Sequence, residues 1–373
     1  AAAAAARADG RDIRSMGEEI DTIPGLMRDQ RSLLREPLSS VAQALVERGV
    51  ERLVLTGCGD SAFAGQAMAL CVTRHVGVDA RAVHALDLCR YELDVVDRGT
   101  AVLCVSYSGQ VGRTIEAALR GRERGALTIA LTGSPSTPLA GAADHVLPLT
   151  VPTRGLSPGT STYVAMLAAI AELAVGWAAA RGAPASELSD ALDETPALAA
   201  ETLRLCADPA RELGRSLAGA RWVCFAGAGP NEASARFGAA KFLEGPQLLA
   251  TATNVEEWAH EEYFVTAPGS PVVVVAPDGA SRDRVEDVLA ELEGLGARTI
   301  LVAEHSAPGV AVHLPLAAGL PEELTPLLAA LPLSIVPFAL ALLTGKRSYN
   351  FRTPEAERRH YETIHRLDRA LHG

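Results

Sequence analysis

Short apolar runs alternate along the first half of the chain with longer segments in which apolar side chains recur at helical spacing. A short apolar run followed by such a segment is typical of a β-strand that leads into an α-helix. Repeated in series, these units predict parallel strands joined by crossover helices. The predicted strands are Arg52–Thr56, Ala101–Val105, Leu127–Leu131 and Val146–Leu149, and the predicted helices are Ser61–Val76 and Thr114–Arg124.

The same order of elements recurs in the second half of the chain. Its predicted strands are Trp222–Ala226, Val272–Val275 and Thr299–Val302, and its predicted helices are Asn231–Leu243, Arg282–Glu293 and Leu324–Leu343. We therefore predict an α/β fold with two doubly wound, Rossmann-like parallel sheets that carry helices on both faces. The predicted segments are a lead-in helix (1–36), a first domain (37–184), a linker near Gly182–Leu203, a second domain (200–345) and a charged tail (346–373) that closes on the site.

Composition agrees with this fold and narrows the choice of partners. Hydrophobic residues make up 48% of the 373 positions but aromatics only 4%, so both cores are built mainly from Ala, Val and Leu. A net charge of −11 argues against nucleic acid, which needs basic patches. A single phosphate remains possible, because backbone N–H groups at a helix N-terminus can hold it.

The cysteines and the apolar segments bear on the cellular compartment. None of the six cysteines forms a CxxC pair, so we predict neither a disulfide framework nor a metal site, and a reducing cytoplasm. Residues 1–6 are all Ala and show no signal-peptide pattern. Leu324–Leu343 is apolar enough to span a membrane, but Ser161–Ala180 occupies the same place in the first half, so we predict core helices and no membrane.

Three loops rich in hydroxyl side chains each follow a predicted strand and precede a predicted helix. They are Ser106-Tyr-Ser-Gly109, Gly57-Cys-Gly-Asp-Ser61 and Ser157 to Thr162. Loops at the carboxyl ends of parallel strands line ligand crevices, and free N–H groups there suit a phosphate. The alternative is that each loop only caps its helix. Three loops at corresponding strand ends favour a phosphate site.

These motifs resemble the sugar isomerase (SIS) family, and within it the isomerase domain of glucosamine-6-phosphate synthases. The family's CGxS turn, SxSGxTxxT phosphate loop and small-residue loop before a long helix read here as Cys58-Gly-Asp-Ser61, Ser106 to Thr114, and Gly159-Thr-Ser-Thr162. Met16-Gly-Glu-Glu-Ile20 with Pro24 resembles the family's lead-in helix. Over residues 16–360 the resemblance implies two SIS halves, a homodimer whose subunits share the site, aldose–ketose chemistry on a phosphosugar, and no glutaminase domain. It implies ligand contacts from Cys58, Gly59, Ser61, Ser106, Tyr107, Ser108, Gly109, Thr114, Ser157, Gly159 and Thr160.

The resemblance also implies acid–base residues in the second half. Glu244 falls on the glutamate that moves a proton between C1 and C2, and Lys241 falls on its neighbouring lysine. Glu257 and His260 fall on an E-x-x-H pair whose histidine opens the sugar ring from the neighbouring subunit. A carboxylate suits the first role and an imidazole the second. The alternatives are a surface ion pair at i,i+3 for Lys241 and Glu244, and a solvated acidic helix around His260.

The chain departs from the family pattern at three places. Val111 replaces a threonine that binds phosphate, and His260-Glu-Glu262 replaces HGP, which adds negative charge that could favour an amino group on the substrate. The family's C-terminal lysine, which forms a Schiff base, has its place near Arg359, and arginine cannot form an imine. The tail is still expected to contact ligand through residues such as Arg359, with a solvated helix as the alternative.

Taken together, these features predict a phosphosugar aldose–ketose isomerase or an aminosugar-phosphate isomerase/deaminase. No metal or organic cofactor is expected, because enediol chemistry needs only acid–base groups and oxyanion donors. A dinucleotide is not expected, since Glu232 stands where GxGxxG requires its third glycine. The alternative class is a non-catalytic protein that binds a sugar phosphate and regulates another process.

Overall fold

The computed structural model describes residues 10–367 of the chain. It contains two five-stranded, all-parallel sheets with helices around them. The predicted α/β class with two doubly wound sheets is therefore confirmed. The strand order is β2-β1-β3-β4-β5 in the first sheet and β10-β9-β8-β6-β7 in the second.

The elements follow each other in the order that the sequence pattern indicates. The strands are β1 Arg52–Gly57, β2 Asp79–His84, β3 Thr100–Val105, β4 Leu127–Thr132, β5 His145–Pro148, β6 Val223–Gly227, β7 Ala250–Asn254, β8 Pro271–Val275, β9 Arg298–Ala303 and β10 Val312–Pro315. The helices are α1 Arg14–Glu47, α2 Asp60–Val76, α3 Ala85–Arg90, α4 Gly112–Glu123, α5 Pro138–Ala142, α6 Ser161–Ala180, α7 Ser186–Ser216, α8 Pro230–Glu244, α9 Val255–His260, α10 Arg282–Gly294, α11 Pro326–Leu343 and α12 Pro354–Ile364.

The chain divides into two compact units, each built around one sheet. The β1–β5 unit comprises residues 26–151, 162–193 and 351–367. The β6–β10 unit comprises residues 10–25, 152–161 and 194–350. Each unit thus contains segments that are distant in sequence.

Both units are built on the same repeat. Helices in equivalent places begin 170 residues apart, as at Asp60 and Pro230, Ala85 and Val255, and Gly112 and Arg282. All residues of β3 and β4 are buried, as expected for strands whose two faces are both covered by helices. The predicted internal repeat is therefore confirmed over the core of each sheet.

The stretch predicted as a linker is helical. α7 begins at Ser186 and continues to Ser216, with Pro196 and Pro209 inside it. Proline removes one helical hydrogen bond but does not prevent a helix that packing stabilises, and apolar side chains such as Leu192 and Ala199 are buried along this one. The edge strands β2, β7 and β10 were not predicted from the sequence. Their residues are partly exposed and partly polar, so these segments contain no continuous apolar run.

Two helices, α6 and α11, are long and apolar enough to cross a membrane by length and composition. Within the protein, 72% and 83% of their most apolar windows are buried. This degree of burial is typical of core helices in α/β proteins, and Pro332 and Pro337 lie inside α11 without ending it.

The turns that end β1 and β6 bring backbone atoms unusually close together. A Cβ atom added to Gly57 would lie 2.8 Å from the Val105 carbonyl oxygen, and one added to Gly227 would lie 2.2 Å from that of Asn231. Two residues further on, Gly59 and Gly229 have φ/ψ of 56/−132° and 53/−130°. The same glycine turn therefore starts a helix in both units.

Gly57→Ala should destabilise the protein by about 1–3 kcal/mol, because the added methyl group would force the backbone or neighbouring atoms to move. Gly141→Ala is the matched control, since nothing lies within 4 Å of its added Cβ. Urea unfolding followed by circular dichroism measures both variants. Equal free energies of unfolding for the two would contradict the close approach at Gly57.

Candidate active site

The loops after β1 and β3 lie side by side at the carboxyl edge of the first sheet. In the order β2-β1-β3-β4-β5, the direction of the crossovers reverses between these two strands. Ligands of doubly wound sheets bind at such a reversal point, because the two following helices diverge and leave a crevice. The residues predicted to hold phosphate come from these two loops.

The loop from Ser106 to Val111 is a compact turn stabilised by its own hydroxyl groups. Ser106 Oγ accepts a hydrogen bond from the Gly109 N–H (3.2 Å), and Ser108 Oγ accepts one from the Gln110 N–H (3.4 Å). Gly109 has φ of 61°, and a Cβ there would lie 2.4 Å from Thr137. Tyr107 donates from its hydroxyl to the Val151 carbonyl (3.3 Å). These hydrogen bonds and contacts therefore hold the loop in one backbone conformation, and this conformation requires glycine at Gly109.

The helices that follow these loops are not capped by side chains. Their N-cap positions are Gly59 and Val111, neither of which carries an acceptor. Ser61 lies in the first turn of α2 with its hydroxyl 3.5 Å from the Met166 sulfur. The capping interpretation of these two loops is therefore wrong, and the positive ends of both helix dipoles face the loop edge.

Thr114 and Cys58 connect the two loops. Thr114 is buried in the first turn of α4, and its hydroxyl hydrogen-bonds the Cys58 thiol. Burial raises the pKa of that thiol, while Thr114 and the charge of Arg113 act in the opposite direction. The neutral thiol that results at pH 7 suits a packing and hydrogen-bonding role rather than that of a nucleophile.

Three arginines surround a buried carboxylate on the helix that follows the phosphate loop. Glu116 is fully buried and forms ion pairs with Arg90, Arg113 and Arg120. Arg113 also donates to the Arg366 carbonyl (3.1 Å), and a Cβ on Gly112 would lie 2.2 Å from that oxygen. The C-terminal segment therefore packs against the first turn of α4. Arg359, the tail residue predicted to contact ligand, is exposed on α12.

The third predicted loop belongs to the β6–β10 unit and is anchored by a carboxylate that sequence reasoning did not select. Glu19 on α1 is 2% exposed; it accepts hydrogen bonds from the Arg154 N–H (2.9 Å) and the Ser157 hydroxyl (2.8 Å). Desolvation raises its pKa. Glu19 lies within the lead-in motif from Met16 to Ile20, and this motif is the feature of the sequence that could have indicated its role. Its contact with the loop could not be inferred, because the contact joins residues far apart in sequence.

Beyond Ser157, the same loop contains Gly159 and leads into two fully buried hydroxyls. Thr160 and Ser161 are both 0% exposed, and within the part of the chain that the structure describes neither hydroxyl has a hydrogen-bond partner.

Lys241 and Glu244 form a close pair at the end of α8. The Lys241 ammonium lies 2.6 Å from Glu244 Oε2 and 5.1 Å from the centre of the Phe237 ring. Lys241 is fully buried, whereas the Glu244 side chain is 30% exposed. The alternative of a surface ion pair is therefore wrong. The pair therefore combines a buried ammonium with a carboxylate that is partly exposed to solvent.

His260 and Glu257 lie on the solvent side of α9. The His260 ring is 66% exposed and pairs with Glu256 at 3.4 Å, and Glu256 also pairs with Arg284. Glu257 is exposed. Within this chain, His260 therefore has the surroundings of a surface side chain, and the 3₁₀ turn that follows exposes Phe264 and Val265.

Comparison with known proteins shows which family model and which relatives the chain resembles. Residues 48–176 match the SIS domain family model. The chain is 28% identical over 337 residues to a glutamine–fructose-6-phosphate aminotransferase (isomerizing) of Corynebacterium efficiens, covering 87% of this chain and 53% of the relative. The chain thus spans about half the length of the curated relatives it matches.

Solved structures share the fold over almost the whole chain. The C-terminal domain of glucosamine-fructose-6-phosphate aminotransferase from Francisella tularensis superposes with a TM-score of 0.82 at 20% identity, covering 90% of this chain and 97% of that one. Tagatose-6-phosphate ketose/aldose isomerase from Escherichia coli gives a TM-score of 0.71 at 21% identity, covering 89% and 93%.

Together, the structure and these comparisons define an α/β protein with two parallel sheets of the same strand order. The match of residues 48–176 to the SIS domain family model confirms the resemblance read from the loop motifs.

Replacing Glu19 by Gln should remove a pH dependence of stability. The folded protein binds the Glu19 proton more tightly than the unfolded chain does, so this group's contribution to stability falls as the pH rises through its raised pKa. Glutamine cannot ionise but can make both loop hydrogen bonds. The free energy of unfolding of the variant minus that of wild type should therefore be larger at pH 7 than at about pH 5.

Urea unfolding at both pH values measures this difference. Glu36→Gln, at an exposed position of the same helix, controls for the loss of one negative charge. If the Glu19→Gln variant differs from wild type by the same free energy at both pH values, the inferred burial of a titrating carboxyl is wrong.

Proposed function

We propose that this protein transfers a proton between C1 and C2 of a phosphorylated sugar or aminosugar, as an aldose–ketose isomerase or an aminosugar-phosphate isomerase/deaminase. The observation that carries the proposal is the Lys241–Glu244 pair, with its ammonium fully buried and its carboxylate partly exposed. The similarity to proteins named as fructose-6-phosphate aminotransferases supports the substrate class.

The phosphate is assigned to the first half. The Ser106 loop and the turn at Cys58 and Gly59 present N–H groups at two uncapped helix starts, with Ser61, Ser108 and Thr114 as hydroxyl donors. Val111 offers no hydroxyl where the family has one, so the backbone carries more of the binding. Donors of this kind bind a phosphate dianion without a lysine or arginine in direct contact.

Glu244 acts as the base in the second half. Its carboxylate removes the C2 proton of the open-chain aldose, and the electron pair forms the C1–C2 double bond of an enediol as the C1 carbonyl oxygen gains a proton. Return of the carried proton to C1, with loss of the C2 hydroxyl proton, gives the ketose. A general base acts in its carboxylate form, and the Lys241 ammonium pairs with that form of Glu244.

An aminosugar phosphate follows the same route with one further step. When C2 carries an amine, proton transfer to C1 leaves an imine at C2, and water then releases ammonia and gives the ketose. The carboxylates of Glu261 and Glu262 next to His260 favour a cationic amino group near the sugar.

Ring opening is assigned to His260, with Glu257 beside it, acting in a homodimer on a sugar bound to the neighbouring subunit. The exposure of His260 and of Phe264 and Val265 after it is consistent with a segment that a second subunit covers.

The proposed reaction requires no cofactor. Six free cysteines suit the cytoplasm, which we propose as the compartment, with no membrane attachment.

Glu244→Gln should abolish exchange of carbon-bound protons. In D2O, wild type should introduce deuterium at C1 or C2 of fructose 6-phosphate, glucose 6-phosphate or glucosamine 6-phosphate, as followed by NMR. The variant should be slower by about a thousandfold or more, since a general base contributes roughly that factor. Release of ammonia would select the deaminase branch.

Glu362→Gln, an exposed carboxylate on α12, is the matched control and should exchange at the wild-type rate. Binding without exchange by wild type would refute the enzyme and favour the sugar-phosphate-binding regulator. Absence of both would refute the phosphosugar assignment.

Thr114→Val and Ser108→Ala should each weaken binding of glucose 6-phosphate about tenfold, the loss expected for one hydrogen bond of about 1.4 kcal/mol to a charged group. Calorimetry compares them with Thr73→Val, an exposed position on α2. Binding of unphosphorylated glucose should not change. Equal losses for both sugars would place the phosphate elsewhere.

A further inference from the structure

The second half contains a loop of the same length as the phosphate loop. The first spans Ser106 to Val111 between β3 and α4, and the second spans Ala276 to Ser281 between β8 and α10. Gly109 and Gly279 hold the same place in the two loops. Each loop lies beside a glycine turn of the same conformation, at the strand where the crossover direction reverses.

In the second half, a carboxylate of the chain itself lies at this reversal point. Glu322 Oε1 accepts a hydrogen bond from the Ala280 N–H (3.2 Å). A Cβ added to Gly279 would lie 2.3 Å from this oxygen, and one added to Gly229 would lie 3.8 Å from it. The carboxylate therefore fills the space between the two turns.

The backbone of Glu322 is fixed by a buried network. Its carbonyl accepts from the Thr325 hydroxyl (2.7 Å), and that hydroxyl accepts from the Asn231 side-chain amide (2.8 Å). Glu322 stands four residues before α11, in the place that Ser157 holds before α6. At this equivalent position one loop therefore carries the short hydroxyl side chain of Ser157 and the other carries the carboxylate of Glu322.

We propose that Glu322 is an internal ligand that closes the second half to phosphorylated molecules and so restricts their binding to the first half. A carboxylate and a phosphate compete for the same backbone N–H groups, and the tethered carboxylate is present at high effective concentration. The comparison with the first half rests on the proposed phosphate site.

Removal of the carboxylate should open the second half to a weakly bound anion. Charged groups of the described loop include Asp278, whose N–H donates to Glu304 (3.0 Å), and Arg282, which pairs with Asp278 (2.8 Å). Because the carboxylates of Asp278 and Glu304 oppose an anion, we expect millimolar rather than micromolar binding of phosphate.

The experiment compares Glu322→Ser, which introduces the first-half residue, with Glu322→Gln, which keeps a neutral acceptor for Ala280. Inorganic phosphate is titrated while the Ala280 amide is followed by two-dimensional NMR. We expect this amide to shift saturably in the Ser variant only. A well-dispersed spectrum of the Ser variant with no shift, or an equal shift in wild type, would overturn the proposal.

A second measurement uses the wild-type protein, so it does not depend on whether a variant folds. Calorimetry of wild type with glucose 6-phosphate should give one site per chain. Two sites would refute closure of the second half. No binding would instead refute the proposed function, and the Ala280 titration would then decide the role of Glu322 separately.

Discussion

The close approach of backbone atoms at Gly57 and Gly227 is the constraint on which both halves depend. Each glycine lets a strand turn into a helix against a neighbouring carbonyl oxygen, where a side chain would collide. The turn places the start of the helix beside the loop from the next strand, at the point where the crossovers diverge. The uncapped helix starts and the helix dipoles at this edge of the sheet follow from this single geometry.

Two carboxylates act on equivalent loops in different ways. Glu19 reaches from α1 to hold the loop that carries Ser157, whereas Glu322 lies within its own loop and bonds the Ala280 N–H. In both cases a carboxylate satisfies backbone N–H groups that would otherwise need water or a ligand. The two equivalent loops thus differ in the source of their carboxylate, which comes from another helix in one and from the loop itself in the other.

Individual elements show how far prediction from sequence reached. β3 and β4 were predictable, because a fully buried parallel strand must be continuously apolar. α7 was not, because the stretch predicted as a linker is helical and buries apolar side chains such as Leu192 and Ala199. The buried state of Lys241 could not be inferred either, because an i,i+3 pair has the same sequence signature on a surface and in a core.

The sequence by itself determined the fold class, the repeat and the identity of the loops, because apolar periodicity and glycine positions act locally. Only the tertiary structure decided which polar groups meet. Glu19 with Ser157, Glu116 with its three arginines, and Glu322 with Ala280 join residues that are often far apart along the chain. The strength of such contacts depends on burial and on distances of a few ångströms, and neither is encoded in local spacing.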